Sequence, residues 1–311
     1  MTGRIGIVWN PTKIDETELR DAAGAAFEDS VDLHWWETSE DDPGRSMAES
    51  AIAADCDVVI AVGGDGTVRT VAEVIAQSPG DAPALGIVPQ GTGNLLARNL
   101  GIPLGSIAKA LETVAAGRTR DIDMGWVRAD DADAETGFLV MIGSGLDAHM
   151  LAETDDGLKD KAGWLAYVEA MGRALGAAQT MDFTFSIDGD QEQTLSGHTL
   201  LIGNCGAIQG GVTLLPDAVP DDGRLDLLLV SAENAVEWAR TLRTIVWDNG
   251  IRRLLGGDDQ TVSTDEAQHL AGERIRVRMS APSAFEIDGE EAGEVSSLEV
   301  RVQPAALRVL C

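Results

Sequence analysis

Apolar and polar positions follow two different rhythms along the chain. Over about the first 120 residues, short apolar runs alternate with stretches of helical period. "RIGIVWNP" (4–11) reads as a strand closed by Asn-Pro, and the spacing after it predicts a helix through residues 15–27. "VDLHWWETSE" (31–40) reads as a second strand, with a helix over 45–54 behind it. Val58, Val59, Ile60, Ala61 and Val62 are uninterrupted by polar positions, the pattern of a strand buried on both faces. Val68, Val71, Ala72 and Ile75 then recur at helical spacing. "ALGIVPQGTGNLLARNL" (84–100) repeats the plan of strand, glycine-rich turn and short helix. A helix over 104–116 and the strand "RDIDMGWV" close the section. Such alternation implies a parallel sheet with helices on both faces.

Near residue 124 the rhythm changes. "GFLVMIGSG", "DFTFSIDG", "GHTLLIGN", "RLDLLLV", "RIRVRMS", "AFEIDG", "SLEVRV" and "ALRVL" are short strands separated by turn residues. Arg274, Arg276 and Arg278 alternate with Ile275, Val277 and Met279, the period of a half-buried strand. This predicts an antiparallel sandwich or barrel, interrupted by helical stretches at 160–178 and 232–247. The expectation is a doubly wound α/β domain over residues 1–123 and a β-sandwich domain over 124–311, with no internal repeat.

A chain of 311 residues, 44% hydrophobic, fits two globular domains. It shows neither a basic, apolar leader nor an apolar run near the roughly 18–20 residues that span a bilayer. A cytoplasmic protein without a transmembrane segment is expected, touching a membrane only at its surface. Cys56, Cys205 and Cys311 have no metal-ligand spacing and form no disulfide framework. Cys56 and Cys205 read as core residues of apolar strands. The net charge of −29 changes the picture more. Acidic residues are spread in short clusters such as "SEDD", "ADDADAE" and "PDDG", like the solvating coat of a salt-adapted protein. Such a surface repels nucleic acid and, at low salt, anionic headgroups.

Ligands of doubly wound sheets sit beyond the carboxyl ends of the strands. Four such ends carry polar or glycine-rich groups: Asn10-Pro11-Thr12-Lys13, Glu37-Thr38-Ser39, Gly63-Gly64-Asp65-Gly66-Thr67 and Gly91-Thr92-Gly93-Asn94. Glycines let backbone approach a phosphate closely, a helix N-terminus presents N–H groups to it, and threonines add donors. No Gly-Lys-Ser/Thr loop, Gly-x-Gly-x-x-Gly fingerprint, Gly-x-Ser-x-Gly elbow or HExxH is present, and His34, His149, His198 and His269 stand apart from one another.

"GGDGT" followed by "PQGTGNLLARNL" resembles the diacylglycerol kinase catalytic domain family of lipid kinases, which includes sphingosine kinases and bacterial soluble diacylglycerol kinases and shares its first domain with NAD kinases. "IGSGLDAHM" (142–150), "LKDKAGWLAYV" (158–168), "GNCGAIQGGVTLLPDAVPDDGRLDLLLV" (203–230) and "EIDGEEAG" (286–293) resemble further segments of the family in the same order, over nearly the whole chain.

The resemblance implies ATP at the four strand ends, contacted by Asn10, Pro11, Thr12, Lys13, Thr38, Gly63, Gly64, Gly66, Thr67, Val68, Arg69, Gly91, Thr92 and Asn94. It implies that Glu290 is the base that deprotonates a lipid hydroxyl and that Asp65 helps hold Mg²⁺–ATP. It also implies a structural Mg²⁺ on Asp222 and the carbonyls of Val219 and Arg224, with Asp123 reaching it through water. The acyl chains of a lipid drawn from the membrane surface would enter an apolar cleft between the domains, with the helix at 160–178. From the residues alone, Asp221-Asp222-Gly223 and Asp288-Gly289-Glu290 read equally as turns between strands. Thr70 stands where the family often has Glu, Leu95 where it often has Asp, and the first loop lacks its usual glycine. An NAD kinase-like small-molecule kinase and a catalytically weak nucleotide-binding regulator are the alternatives. The identity of the lipid and the oligomeric state, a homodimer among the expectations, stay open.

Overall fold

The computed structural model describes residues 3–28, 30–145, 180–208, 213–230 and 267–311. The chain divides into two compact units. One comprises Met1–Met124, Pro220–Gly223 and Gln303–Cys311, the other Gly125–Val219 and Arg224–Val302.

In the first unit the elements are β1 (Arg4–Trp9), α1 (Glu16–Ala26), β2 (Asp32–Glu37), α2 (Arg45–Ala53), β3 (Val58–Gly63), α3 (Asp65–Gln77), β4 (Ala84–Pro89), α4 (Leu95–Asn99), α5 (Ile107–Ala115) and the start of β5 (Thr119–Ala129). The strands run parallel in the order β4-β3-β1-β2, with Ile60 level with Ile7 and with Gly86. Every residue of β3 is buried, as the unbroken apolar run requires of a strand covered on both faces. Helix α1 packs beside α5, and α2 beside α3. Asp15 starts α1 by accepting from Thr17 N and Glu18 N, and Ser106 starts α5 in the same way through Lys109 N. The last residues of the chain return to this unit, with Val309 parallel to Leu85 of β4. Cys56 and Cys205 are buried, but each lies just outside a strand: Cys56 precedes β3 and Cys205 follows a later strand.

The second unit is antiparallel: β6 (Thr136–Phe138), β7 (Met141–Ser144), β8 (Met181–Ile187), β9 (Gln193–Gly197), β10 (Thr199–Gly203), β11 (Leu225–Val230), β12 (Ala267–Gly272), β13 (Arg274–Ile287) and β14 (Glu290–Leu310), whose residues from Gln303 onward belong to the first unit. The first half of β13 pairs with β8 and its second half with β7, so this one strand serves two layers. Between them lies a core that includes Phe138, Phe183, Phe185, Leu227, Ile275, Val277 and Phe285. The arginine alternation holds: Arg274, Arg276 and Arg278 are exposed, while Ile275, Val277 and Met279 are buried.

Some elements differ from the pattern reading. "RIRVRMS" and "AFEIDG" form one strand, because shifts of register in its pairing with β14 carry β13 through its polar interruption; "SLEVRV" and "ALRVL" also form one strand, which pairs with β13 over its earlier residues and with β4 at Val309. "GFLVMIGSG" breaks into β6 and β7 at Leu139-Val140. The N–H groups there leave the ladder to bind the carboxylate of Asp288. The helical stretches at 160–178 and 232–247, and with them the acyl-chain helix, lie outside the described residues. Among the described residues no helix is long and apolar enough to cross a membrane.

Candidate functional site

The four parallel strands of the first unit end together at one edge. Backbone bonds stitch the ends: Asn10 N donates to Val62 O at 3.0 Å, Thr38 N to Trp9 O at 2.9 Å, and Gln90 N to Gly63 O at 2.8 Å. The four groups singled out in the sequence therefore share one rim.

Each loop has its own internal lock. The Asn10 carboxamide oxygen accepts from Thr12 N at 3.0 Å and from the Thr12 hydroxyl at 2.8 Å, an Asx-turn that turns the chain from β1 towards α1. Beside it a cleft of about 510 Å³ is lined by Lys13, Asp15, Glu18, Gln90 and Ser106. Asp42 folds the segment behind Thr38: its carboxylate accepts from Gly44 N, Arg45 N and Ser46 N and caps α2. The Ser46 side chain and these backbone donors hold the Asp42 pKa down at about 2, against the opposing cost of burial. Nothing in the local sequence pattern had marked Asp42. Thr38 is 4% exposed, and its hydroxyl oxygen is buried with no hydrogen-bond partner. Such orphans are rare and costly in a folded chain.

Gly63–Thr67 turns from β3 into α3, with Gly64 as the N-cap residue and no side chain closing the helix. The turn presses against the loop after β4. A Cβ on Gly91 would lie 2.7 Å from the Gly64 Cα, and one on Gly93 would lie 2.8 Å from an Asp65 carboxylate oxygen. Those glycines are demanded by the packing of loop on loop. Gly64 differs. Its φ is −84°, and a Cβ there would reach only van der Waals contact with the Gly91 Cα, at 3.4 Å. The fold itself thus leaves room for a Cβ at this position, beside the N-terminus of α3.

Asp65 holds the two loops together, its carboxylate accepting from Asn94 N at 2.7 Å and Leu95 N at 2.6 Å. Asn94 adopts φ +47° and locks back on Gly91, accepting from Gly91 N and donating to Gly91 O. Arg98, which the motif reading did not single out, donates its Nε to Gly93 O at 2.6 Å. Thr67 and Val68 are buried, so Val68 offers only backbone to a ligand, while Gly66 and Arg69 are half-buried.

Asp123, 2% exposed, pins a second loop of the same unit. Its carboxylate accepts from Gly223 N at 2.6 Å and from Ala305 N at 2.8 Å, while its own N–H donates to Pro220 O. Asp221 turns outwards to Arg120 at 2.8 Å, whose guanidinium lowers the Asp221 pKa. Asp222 is exposed. Among the described residues no three histidine, cysteine or acidic side chains form a metal cluster. A cation at this loop would thus rely on the Asp222 carboxylate and main-chain oxygens of its neighbours, a hard oxygen set that suits Mg²⁺.

In the second unit, Asp288-Gly289 is the two-residue turn between β13 and β14, with φ of +51° and +80°. That pair of left-handed residues is what a type I′ hairpin needs. Asp288 is 4% exposed, and its carboxylate accepts from Leu139 N, Val140 N and Met141 N at 2.8–3.0 Å. The turn is thereby fastened to the β6–β7 connection, and Glu290 emerges from it as the first, exposed residue of β14. The aspartate of Asp-Gly-Glu is an anchor that the sequence reading left unassigned.

Residues 5–127 match the diacylglycerol kinase catalytic domain, and residues 140–311 match the YegS C-terminal NAD kinase beta sandwich-like domain. A protein of Xanthomonas euvesicatoria pv. vesicatoria named "Probable lipid kinase YegS-like" is 32% identical over 282 residues, covering 89% of this chain and 83% of its own. A "Diacylglycerol kinase" of Mycobacterium tuberculosis is 28% identical over 266 residues, covering 86% and 80%. Among solved structures, a diacylglycerol kinase from Bacillus anthracis str. Sterne superposes with a TM-score of 0.70 at 20% identity, covering 99% of this chain and 96% of that one. Yeast NADH kinase complexed with NADH superposes at 0.50 with 10% identity, covering 99% and 83%. At these identities the two structures speak for the fold.

Proposed function

Because the chain belongs to the lipid kinase family that joins a diacylglycerol kinase catalytic domain to a YegS-type C-terminal domain, we propose that it transfers the γ-phosphoryl group of ATP to the hydroxyl of a diacylglycerol-like lipid. The observation that carries this reading is Gly64, a glycine at the N-terminus of α3 that the packing around it does not require and that would let a phosphate approach closely.

In this reading the N-terminus of α3 faces the ATP phosphates with its N–H groups, and the loop from Gly91 to Asn94 closes the cradle. Asn10, Pro11, Thr12 and Lys13 bound it from the end of β1. Glu290 takes the proton of the lipid hydroxyl while a lone pair of that oxygen attacks the γ-phosphorus. The bond from phosphorus to the β,γ-bridging oxygen breaks, and ADP leaves with its electrons. Asp222 and the carbonyls of Val219 and Arg224 would hold a structural Mg²⁺, with Asp123 fixing their loop. That ion would order the loop, whereas a separate Mg²⁺ arriving with ATP would neutralise phosphate charge. The lipid would be taken from a membrane surface.

The test is incubation of the protein with labelled ATP and a total lipid extract across a range of salt, followed by mass identification of any labelled lipid. Transfer to a lipid hydroxyl is expected. ATP binding without lipid-dependent transfer at any salt concentration would instead favour a nucleotide-binding regulator.

A further inference from the structure

We infer that Asp65 serves the phosphate site as a positioning residue, capping helix α4 across 29–30 residues of sequence. The inference rests on the ATP reading of the site. Helix α4 has no means of closing its own N-terminus. Its N-cap residue, Asn94, makes no side-chain cap bond, because its carboxamide is turned back onto Gly91. Its first turn contains no acidic residue, and Leu95 there is 7% exposed. The first N–H groups of a helix need acceptors and favour negative charge.

Asp65 meets both needs from a different helix. Each of its oxygens takes one N–H of α4, at 2.7 and 2.6 Å, in the short range of charge-assisted bonds. Gly93 leaves room for this approach, since a Cβ there would lie 2.8 Å from the same carboxylate. The phosphate-facing turn and the loop closing over it become one rigid piece.

A metal ligand and a cap respond differently to Asp65→Asn. The amide keeps one acceptor but aims N–H donors at a backbone N–H. With no nucleotide or metal present, a cap predicts a melting temperature lower by about 2–8 °C and faster amide hydrogen exchange in residues 91–99. It also predicts ATP binding in EDTA weakened about fivefold to thirtyfold, the ratio for loss of about 1–2 kcal/mol. The Mg²⁺ concentration for half-maximal turnover at saturating ATP should not move. Asp65→Ala should repeat these shifts more strongly. The inference is overturned if the metal-free variant melts and exchanges like the wild type while its Mg²⁺ requirement rises. If wild-type protein binds no ATP, the ATP reading fails by itself, and the melting and exchange measurements still decide the cap.

Discussion

Gly64→Ala separates a glycine kept for folding from one kept for a ligand. At φ −84° and ψ −174° alanine is allowed, and its methyl meets the Gly91 Cα at 3.4 Å. The gain from a less flexible unfolded chain, about 0.4–1 kcal/mol, is offset by this contact and by the weaker N-cap preference of alanine. Net stability should therefore stay within about 1 kcal/mol of wild type. Binding should not. A methyl over the N-terminus of α3 holds a phosphate oxygen away from the N–H groups. Loss of one hydrogen bond to a charged group costs about 1.5–3 kcal/mol, or roughly tenfold to 150-fold in ATP affinity. Gly91→Ala is the contrasting variant: its methyl would lie 2.7 Å from backbone, so the loops must part and stability falls along with binding. Circular dichroism melting and calorimetric ATP titration of both variants give the comparison. Gly64→Ala that folds and binds ATP as tightly as wild type would refute the assignment of this space to a phosphate.

Glu290→Gln, at an exposed strand start, should leave melting and ATP affinity nearly unchanged and lower lipid-dependent turnover by about 10²–10⁴; normal turnover would end the base assignment. With a net charge of −29, melting temperature and activity should rise as monovalent salt is raised towards molar levels, and a flat or falling melting curve would contradict self-repulsion as the cause. Asp42 titrates near 2 in the folded chain against 3.8 unfolded, so its contribution is full above about pH 4 and is lost as pH falls through 2. Asp42→Ala should accordingly lower the melting temperature at pH 7 and matter less near pH 2, whereas an equal loss at both values would show that charge is not the source.

The sequence by itself determined the elements that burial patterns encode. An unbroken apolar run such as Val58–Val62 can satisfy its backbone only inside a sheet, and helical spacing after it leaves one apolar face to cover that sheet. Alternation of strand and helix then forces parallel pairing, which brings the four polar loops to one rim. The rim of the candidate site was legible for that reason, as was the exposed arginine row on β13. Periodicity says nothing about loops, whose N–H groups take whatever acceptor the fold brings near. Asp65 meets Asn94 and Leu95, Asp123 meets Gly223 and Ala305, and Asp288 meets Leu139 from 149 residues away. Local sequence describes Asp65-Gly66 and Asp288-Gly289 equally well as plain turns. Only the tertiary structure decided that their carboxylates close another segment's backbone, that β6 and β7 are two strands, and that the chain's last residues return to the first unit. The physical reason is the same in each case. A buried polar group must find a partner in space, and the chain order does not say which segment will stand there.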